Sequence, residues 1–218
     1  MECCDQEAKV VSLPRLNEPA PEFSATTTHG PKKLADYRGK WVILFSHPAD
    51  FTPVCTTEFI AFSKLNPEFE KRNAQLIGLS IDSNFSHIAW MRSIEQISGV
   101  KVPFPVIADL DMKVASLYGM VHPGASSTQA VRSVFFIDDK GILRAMLYYP
   151  LNVGRNMDEI LRVLDALQTA DLAKVALPAN WRPGEMVVVP PPQTQEAAEK
   201  RLQEGYECKD WYLCMRKL

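Results

Sequence analysis

Trp41–Glu58, WVILFSHPADFTPVCTTE, is the stretch whose reading decides the fold. Trp41 to His47 is apolar, aromatic and β-branched with little polar interruption, the pattern of a buried strand. Pro48 cannot donate to a ladder and stops the strand. A short loop, Ala49 to Val54, leads to Cys55, and Thr56-Thr57-Glu58 then opens a helical pattern with apolar Phe59, Ile60, Phe62 and Leu65. A single cysteine thus stands where a strand–loop unit becomes a helix. Helix N-termini carry unpaired N–H groups and a partial positive charge, and both favour an anion such as a thiolate.

Packing alone also explains a lone cysteine behind a core strand, because cysteine is among the most buried residue types. The neighbours separate the two readings. Thr52 can aim a hydroxyl at the same sulfur, Pro48 gives the loop a rigid entry with no competing N–H, and His47 ends the strand beside it.

Working outward, the chain reads as strand and turn over 20–30, loop or short helix over 32–39, then the core strand. Residues 56–73 form an amphipathic helix interrupted or bent near Pro67, and Ala74 to Asp82 a second core strand. Ser83-Asn84 starts a helix that Gly99 stops. A short strand follows Pro103, and Asp111 caps a short helix ended by Gly119. Arg132 to Asp138 is a third core strand, joined through Asp139-Lys140-Gly141 to a hairpin partner, Ile142 to Tyr149. Asn156 caps a helix ending near Asp171. This order is a thioredoxin-like α/β fold with a mixed central sheet and helices on both faces.

The character changes near residue 172, where Pro178, Pro183-Gly184 and Pro190-Pro191-Pro192 break periodicity. Val187 to Val189 is a short strand and Gln193 to Glu204 a polar helix. We therefore divide the chain into 1–171, a thioredoxin-like domain, and 172–218, a C-terminal arm that packs on another surface such as a second subunit.

The 218 residues are 46% hydrophobic and 23% charged, which suffices for a core, and a net charge of −2 gives no reason to invoke nucleic acid or an anionic membrane. No apolar run is long enough to span a bilayer, and Met1-Glu2-Cys3-Cys4-Asp5 lacks the character of a signal peptide, so the expected compartment is the cytoplasm. The five cysteines, Cys3, Cys4, Cys55, Cys208 and Cys214, make neither a secreted disulfide framework nor a C-x-x-C pair. No metal site is expected from their spacing, and no cofactor. Cys3 and Cys4 read as part of an incidental exposed terminus.

Pro48-x-x-x-Thr52-x-x-Cys55 resembles the active-site signature of the peroxiredoxins, and Ser46 to Glu58 resembles their one-cysteine subclass. The resemblance extends over nearly the whole chain. It implies a thiol-dependent peroxidase for hydrogen peroxide and organic hydroperoxides, in which Cys55 is the nucleophile and becomes a sulfenic acid. It implies that Thr52 and the Cys55 N–H hold peroxide oxygens, that Pro48 shields the sulfur, and that His47 lies beside it. Arg132 matches an arginine that favours the thiolate and bonds peroxide oxygen; from its position alone it is as well an arginine at a strand edge in a surface ion pair. Arg155 matches a second supporting arginine, against the plain reading of an exposed loop residue, and Glu58 is a candidate partner for one arginine.

The sequence departs from a strict one-cysteine enzyme at Cys208-Lys209-Asp210-Trp211-Tyr212-Leu213-Cys214, which resembles the C-terminal pair of an archaeal and bacterial branch. That resemblance implies that Cys208, with Cys214 as the alternative, resolves the sulfenic acid across subunits. Two structural cysteines in a Trp-rich packing patch is the competing reading. The implied partners are peroxides, a thioredoxin-like or other dithiol reductant, and further copies of the chain as a dimer or a ring of dimers. A second departure is Arg38-Gly39-Lys40-Trp41, where some relatives carry the serine of a lipid-hydrolysing motif, so no such activity is expected. A dithiol reductase would need a cysteine where Thr52 stands, and a redox-responsive holdase or binding scaffold would not need Arg132 and Thr52 around one sulfur.

Overall fold

The computed structural model describes residues 13–218, so the expectation for Cys3 and Cys4 lies outside the described residues. The chain divides into two compact units, one ending at Arg155 and one running from Asn156 to Leu218.

The first unit is built on a seven-stranded mixed sheet. Its strands are β1 (Ser24–Thr27), β2 (Gly30–Lys33), β3 (Trp41–Ser46), β4 (Ala74–Ser80), β5 (Val106–Ala108), β6 (Arg132–Ile137) and β7 (Leu143–Tyr149). They lie in the order β2-β1-β5-β4-β3-β6-β7. β3 runs parallel to β4 and antiparallel to β6, with Phe45 opposite Gly78 on one side and Val134 on the other. Every residue of β3 and β6 is buried, so the centre of the sheet is covered on both faces. This accounts for the unbroken apolar runs of these strands, since side chains alternate between two dry faces.

Among the described residues this unit has a short 3-10 helix, Leu34–Tyr37, and three α-helices: α1 (Pro53–Lys71), α2 (Asn84–Ser98) and α3 (Lys113–Leu117). α1 starts with Thr52 as N-cap and Pro53 in its first turn, where the missing N–H of proline costs nothing. It is not interrupted at Pro67, one of the two outcomes the sequence reading left open; Phe62, Asn66 and Phe69 are buried along its length, and tertiary burial outweighs the loss of one backbone hydrogen bond. α2 has the expected caps, the Ser83 hydroxyl accepting from Ser86 N and Gly99 turning left-handed at φ 68°. At α3 the capping carboxylate is Asp109, which accepts from Val114 N and Ala115 N, while Asp111 takes only a 3.3 Å bond from Lys113 N.

An aromatic cluster joins α1 to the sheet. Phe45 stacks on Phe62 at 4.1 Å between centroids and meets Phe59 and Phe104 edge-on. Burial of each such ring contributes roughly 1.5–3 kcal/mol. Gly78 admits the cluster, because a Cβ there would come within 3.2 Å of Phe59 Cζ.

In the second unit, Asn156 caps α4 (Met157–Ala173) by accepting from Glu159 N. A three-stranded antiparallel sheet follows, made of β8 (Val187–Val188), β9 (Glu207–Asp210) and β10 (Leu213–Arg216) in the order β8-β10-β9, with α5 (Gln195–Arg201) between β8 and β9. The β9–β10 hairpin is absent from the sequence reading, because its strands are only four residues each and β9 is mostly charged. Cys208 faces Cys214 across this hairpin and the two are joined in a disulfide.

Candidate active site

The loop between β3 and α1 delivers Cys55 to the third position of the helix, where its backbone N–H has no partner four residues back. Pro48 is buried at the strand exit, and Phe51 takes a left-handed φ of 55°, a conformation a bulky side chain rarely adopts, as the loop turns. The thiol is fully buried.

Arg132, the first residue of β6, places Nη1 3.3 Å from Cys55 Sγ and donates to it. The guanidinium is fixed by three further bonds: Nε and Nη2 donate to Leu151 O at 3.0 and 2.7 Å, and Nη1 to Glu58 Oε2 at 2.6 Å. Glu58 lies one helical turn beyond Cys55 and accepts from both arginines. Its Oε1 takes Arg155 N and Nε, each at 2.9 Å, and its Oε2 takes Arg155 Nη2 at 2.7 Å. Arg155 Nη1 donates to Ser46 O and Ser133 O, so one side chain ties the ends of β3 and β6 together. Its guanidinium also lies over the Phe45 and Phe62 rings, at 5.3 and 5.4 Å.

All four residues are at most 6% exposed. Burial pushes the Glu58 carboxyl up, but the charge and hydrogen bonds of Arg155 together with the charge of Arg132 outweigh it and hold it below its ordinary value. Two guanidinium groups against one carboxylate leave one positive charge inside the protein, with Arg132 Nη1 at the sulfur.

Ser46 and Ser133 support this arrangement from the strands. Ser46 Oγ donates to Val131 O at 2.5 Å, lies 2.6 Å from Ser133 Oγ, and accepts from Ser133 N. These bonds pin the backbone on both sides of Arg132.

Thr52 departs from the geometry expected of it. Its hydroxyl donates to Ala49 O at 2.8 Å instead of aiming its proton at the sulfur, because the carbonyl three residues back lies in reach of an N-cap side chain. The oxygen keeps its lone pairs as acceptors. Arg155 is buried, not an exposed loop residue, and Glu58 pairs with both arginines where one was expected.

His47 is fully buried beside a cluster that the sequence reading missed. Its Nε2 lies 2.9 Å from Asp50 Oδ1, and Asp50 Oδ2 lies 2.8 Å from His87 Nδ1. Burial pushes His47 down and keeps it neutral, although Asp50 pulls the other way. Asp50 is itself held well below the usual carboxylate range: burial alone pushes it up, but the hydrogen bonds of the two histidines outweigh it. Asp50 stands in the quoted stretch three residues after His47, which was a usable signal. His87 is one histidine on an otherwise ordinary amphipathic helix and carried none. Spacing gave no expectation of a metal site, yet the donor atoms of His47, Asp50 and His87 lie within 4.8 Å of one another, close enough to hold an ion. They are occupied by hydrogen bonds to each other, which a cation would have to displace.

Residues 16–146 match the AhpC/TSA family, and residues 166–205 match the C-terminal domain of 1-Cys peroxiredoxin. A peroxiredoxin of Aquifex aeolicus is 62% identical over 96% of this chain and 100% of its own length. The chain belongs to the peroxiredoxin family. A peroxiredoxin of Methanosarcina mazei is 54% identical over 94% of this chain and 98% of its own. Among solved structures, the yeast mitochondrial 1-Cys peroxiredoxin, described for thiol resolution through glutathione and thioredoxin systems, superposes with a TM-score of 0.85 at 45% identity, covering 94% of this chain and 100% of that one. Peroxiredoxin 6 of Arenicola marina gives 0.84 at 39% identity, covering 94% and 98%. This peroxiredoxin is a thiol-dependent peroxidase with an antioxidant role, of a family that uses peroxides and thiol reductants and typically forms oligomers. Among its described residues no helix is long and apolar enough to cross a membrane.

Proposed function

We propose that Cys55 is the peroxidatic cysteine of this enzyme, acting on hydrogen peroxide and organic hydroperoxides. The observation that carries the reading is the bond from Arg132 Nη1 to Cys55 Sγ within a charge-paired, buried cluster. The thiolate attacks the terminal peroxide oxygen, the O–O bond breaks with its electron pair on the distal oxygen, and that oxygen takes a proton to leave as water or alcohol. Cys55 becomes a sulfenic acid. Arg132 stabilises the charge moving onto oxygen, because it is already fixed before the reaction begins. Thr52 Oγ1, with its own proton given to Ala49 O, accepts from the distal O–H of hydrogen peroxide, and Pro48 limits access to the sulfur.

Cys208 of a second copy of the chain is the proposed resolving thiol. It is half-buried, whereas Cys214 is fully buried, which supports Cys208 as the first to attack. Cys208 displaces water from the sulfenic acid to give a Cys55–Cys208 disulfide. Cys214 then displaces Cys55, giving the Cys208–Cys214 disulfide and restoring the thiolate. A thioredoxin-like or other dithiol reduces that pair. Residues 172–218 serve as the dimer-clasping arm of a dimer or ring of dimers. The cytoplasm is the proposed compartment, since the cycle needs a steady supply of reductant, and sulfur alone carries the chemistry.

The test is peroxide consumption with dithiothreitol and with a thioredoxin system, followed by non-reducing gels. Cys55→Ser abolishes turnover, and Cys208→Ser removes a dimer-sized disulfide band that Cys214→Ser accumulates. Full turnover in Cys55→Ser would sink the assignment.

A further inference from the structure

The His47–Asp50–His87 cluster has a direction built into it. His87 Nε2 lies 3.1 Å from Ile107 O, and a carbonyl only accepts, so this nitrogen carries a hydrogen. His87 Nδ1 and Asp50 Oδ2, 2.8 Å apart, hold one proton between them. Asp50 Oδ1 is then left as an acceptor for His47 Nε2–H at 2.9 Å. A neutral imidazole has one N–H, so His47 Nδ1 is a bare lone pair. That atom is buried and has no hydrogen-bond partner. Such an atom is costly and asks for an explanation.

Its surroundings lead back to the thiol. The His47 ring packs against Phe59, one helical turn beyond Cys55, at 4.7 Å, and against Trp90 at 5.0 Å. Trp90 Nε1 donates to the hydroxyl of Thr56, the residue next to Cys55. We propose that Asp50 and His87 are positioning residues that hold His47 in the tautomer offering Nδ1 as an acceptor to the O–H of a hydroperoxide at Cys55. This rests on the reading of Cys55 as the peroxidatic thiol.

The chemical consequence is a choice of oxygen. In an organic hydroperoxide only the terminal oxygen bears hydrogen, so an acceptor beside the sulfur turns that oxygen toward it. The thiolate forms an S–O bond to this oxygen, which keeps its hydrogen and becomes the sulfenic S–OH. The O–O pair goes to the distal oxygen, which leaves as alcohol after taking a proton from water. Sulfur is oxidised and the peroxide reduced, and His47 ends as it began.

The substitutions follow from the hydrogen-bond logic. Asp50→Asn preserves the tautomer while His87 is present: with its hydrogen on Nε2 toward Ile107 O, His87 takes the amide N–H at Nδ1, which leaves the amide oxygen facing His47 Nε2–H. Asp50→Leu removes the acceptor, and Asp50→Asn with His87→Leu lets the amide turn. Two readouts decide the matter. Long-range 1H–15N spectra of 15N-histidine-labelled protein report the His47 tautomer. The rate of Cys55 oxidation by an alkyl hydroperoxide is compared with its rate of alkylation by iodoacetamide, which needs the thiolate but no oriented O–H. The expected result is a His47 Nε2–H signature in the wild type and Asp50→Asn, lost in Asp50→Leu and in the double variant. In these two the peroxide rate falls about tenfold or more, the size of one hydrogen bond, while alkylation changes less than about twofold. An unchanged peroxide rate, or peroxide and alkylation rates falling together, would overturn the proposal. Peroxide turnover in Cys55→Ser would instead remove the reading beneath it, so the two failures are distinct.

Discussion

Arg132 Nη1 is shared between Cys55 Sγ, at 3.3 Å, and Glu58 Oε2, at 2.6 Å, so a single donor atom links the thiol to its counter-charge. The carboxylate and the sulfur lie one helical turn apart on α1, and the arginine reaches them from the start of β6. The Leu151 carbonyl, accepting from Nε and Nη2, completes the seating of the guanidinium. From this relationship come the first two expectations.

Arg132→Gln keeps a neutral donor in place of the fixed cation. Oxidation of Cys55 by hydrogen peroxide is expected to slow by about two orders of magnitude or more, the scale for losing one preorganised charge-stabilising group. Stopped-flow competition against a second thiol peroxidase measures it. A rate within about threefold of wild type would show that Arg132 serves packing only.

Glu58→Gln breaks a buried carboxylate that accepts four bonds from two arginines. The expected loss is about 3–5 kcal/mol of stability, read from the urea midpoint near pH 7. The sign of the pH dependence is fixed by the direction of the shift. Glu58 is held below its ordinary 4.5 in the folded protein, so its contribution is complete above that value and is lost as pH falls through the folded one. The gap between wild type and Glu58→Gln should therefore narrow on acidification below about pH 4.5. A gap that widens there would contradict the burial of a charged Glu58.

His47 titrates in a separate window. Burial holds it below its ordinary 6.5, so between the folded value and 6.5 the unfolded chain binds more protons. The stabilisation is full above 6.5 and drains away as pH falls toward the folded value. A lower urea midpoint at about pH 5.5 than at about pH 7.5 is expected, with a shallower difference in His47→Gln. His29 is also held down by burial and shares the direction, so the variant, not the wild type alone, isolates His47.

Gly78→Ala tests the aromatic wall behind the site. The added carbon would stand 3.2 Å from Phe59 Cζ, closer than most natural Cβ contacts, and 3.4 Å from Val106 Cγ2. Overpacking by one methyl is expected to cost about 1–3 kcal/mol and to lower the melting temperature. A neutral effect would mean the Phe59 ring can turn aside, which its contacts with Phe45, Trp90 and Phe104 resist.

Local sequence alone determined the strand–loop–helix unit around Cys55, the caps of α2 and α4, and the β6–β7 hairpin. Each depends on residues within about one or two turns of each other, where periodicity and side-chain capping act directly. The motif from Pro48 to Cys55 was legible for the same reason. What only the tertiary structure decided are relations across long separations: Arg132 meeting Cys55 over 77 residues, Arg155 meeting Glu58 over 97, and His87 completing Asp50 over 37. A buried guanidinium and an exposed one are the same letter, and a histidine on an amphipathic helix does not announce its partner. The continuity of α1 through Pro67 was likewise settled by burial along the helix. In each, burial and pairing elsewhere in the fold set the energy of a local feature, and that energy is not written in the neighbouring residues.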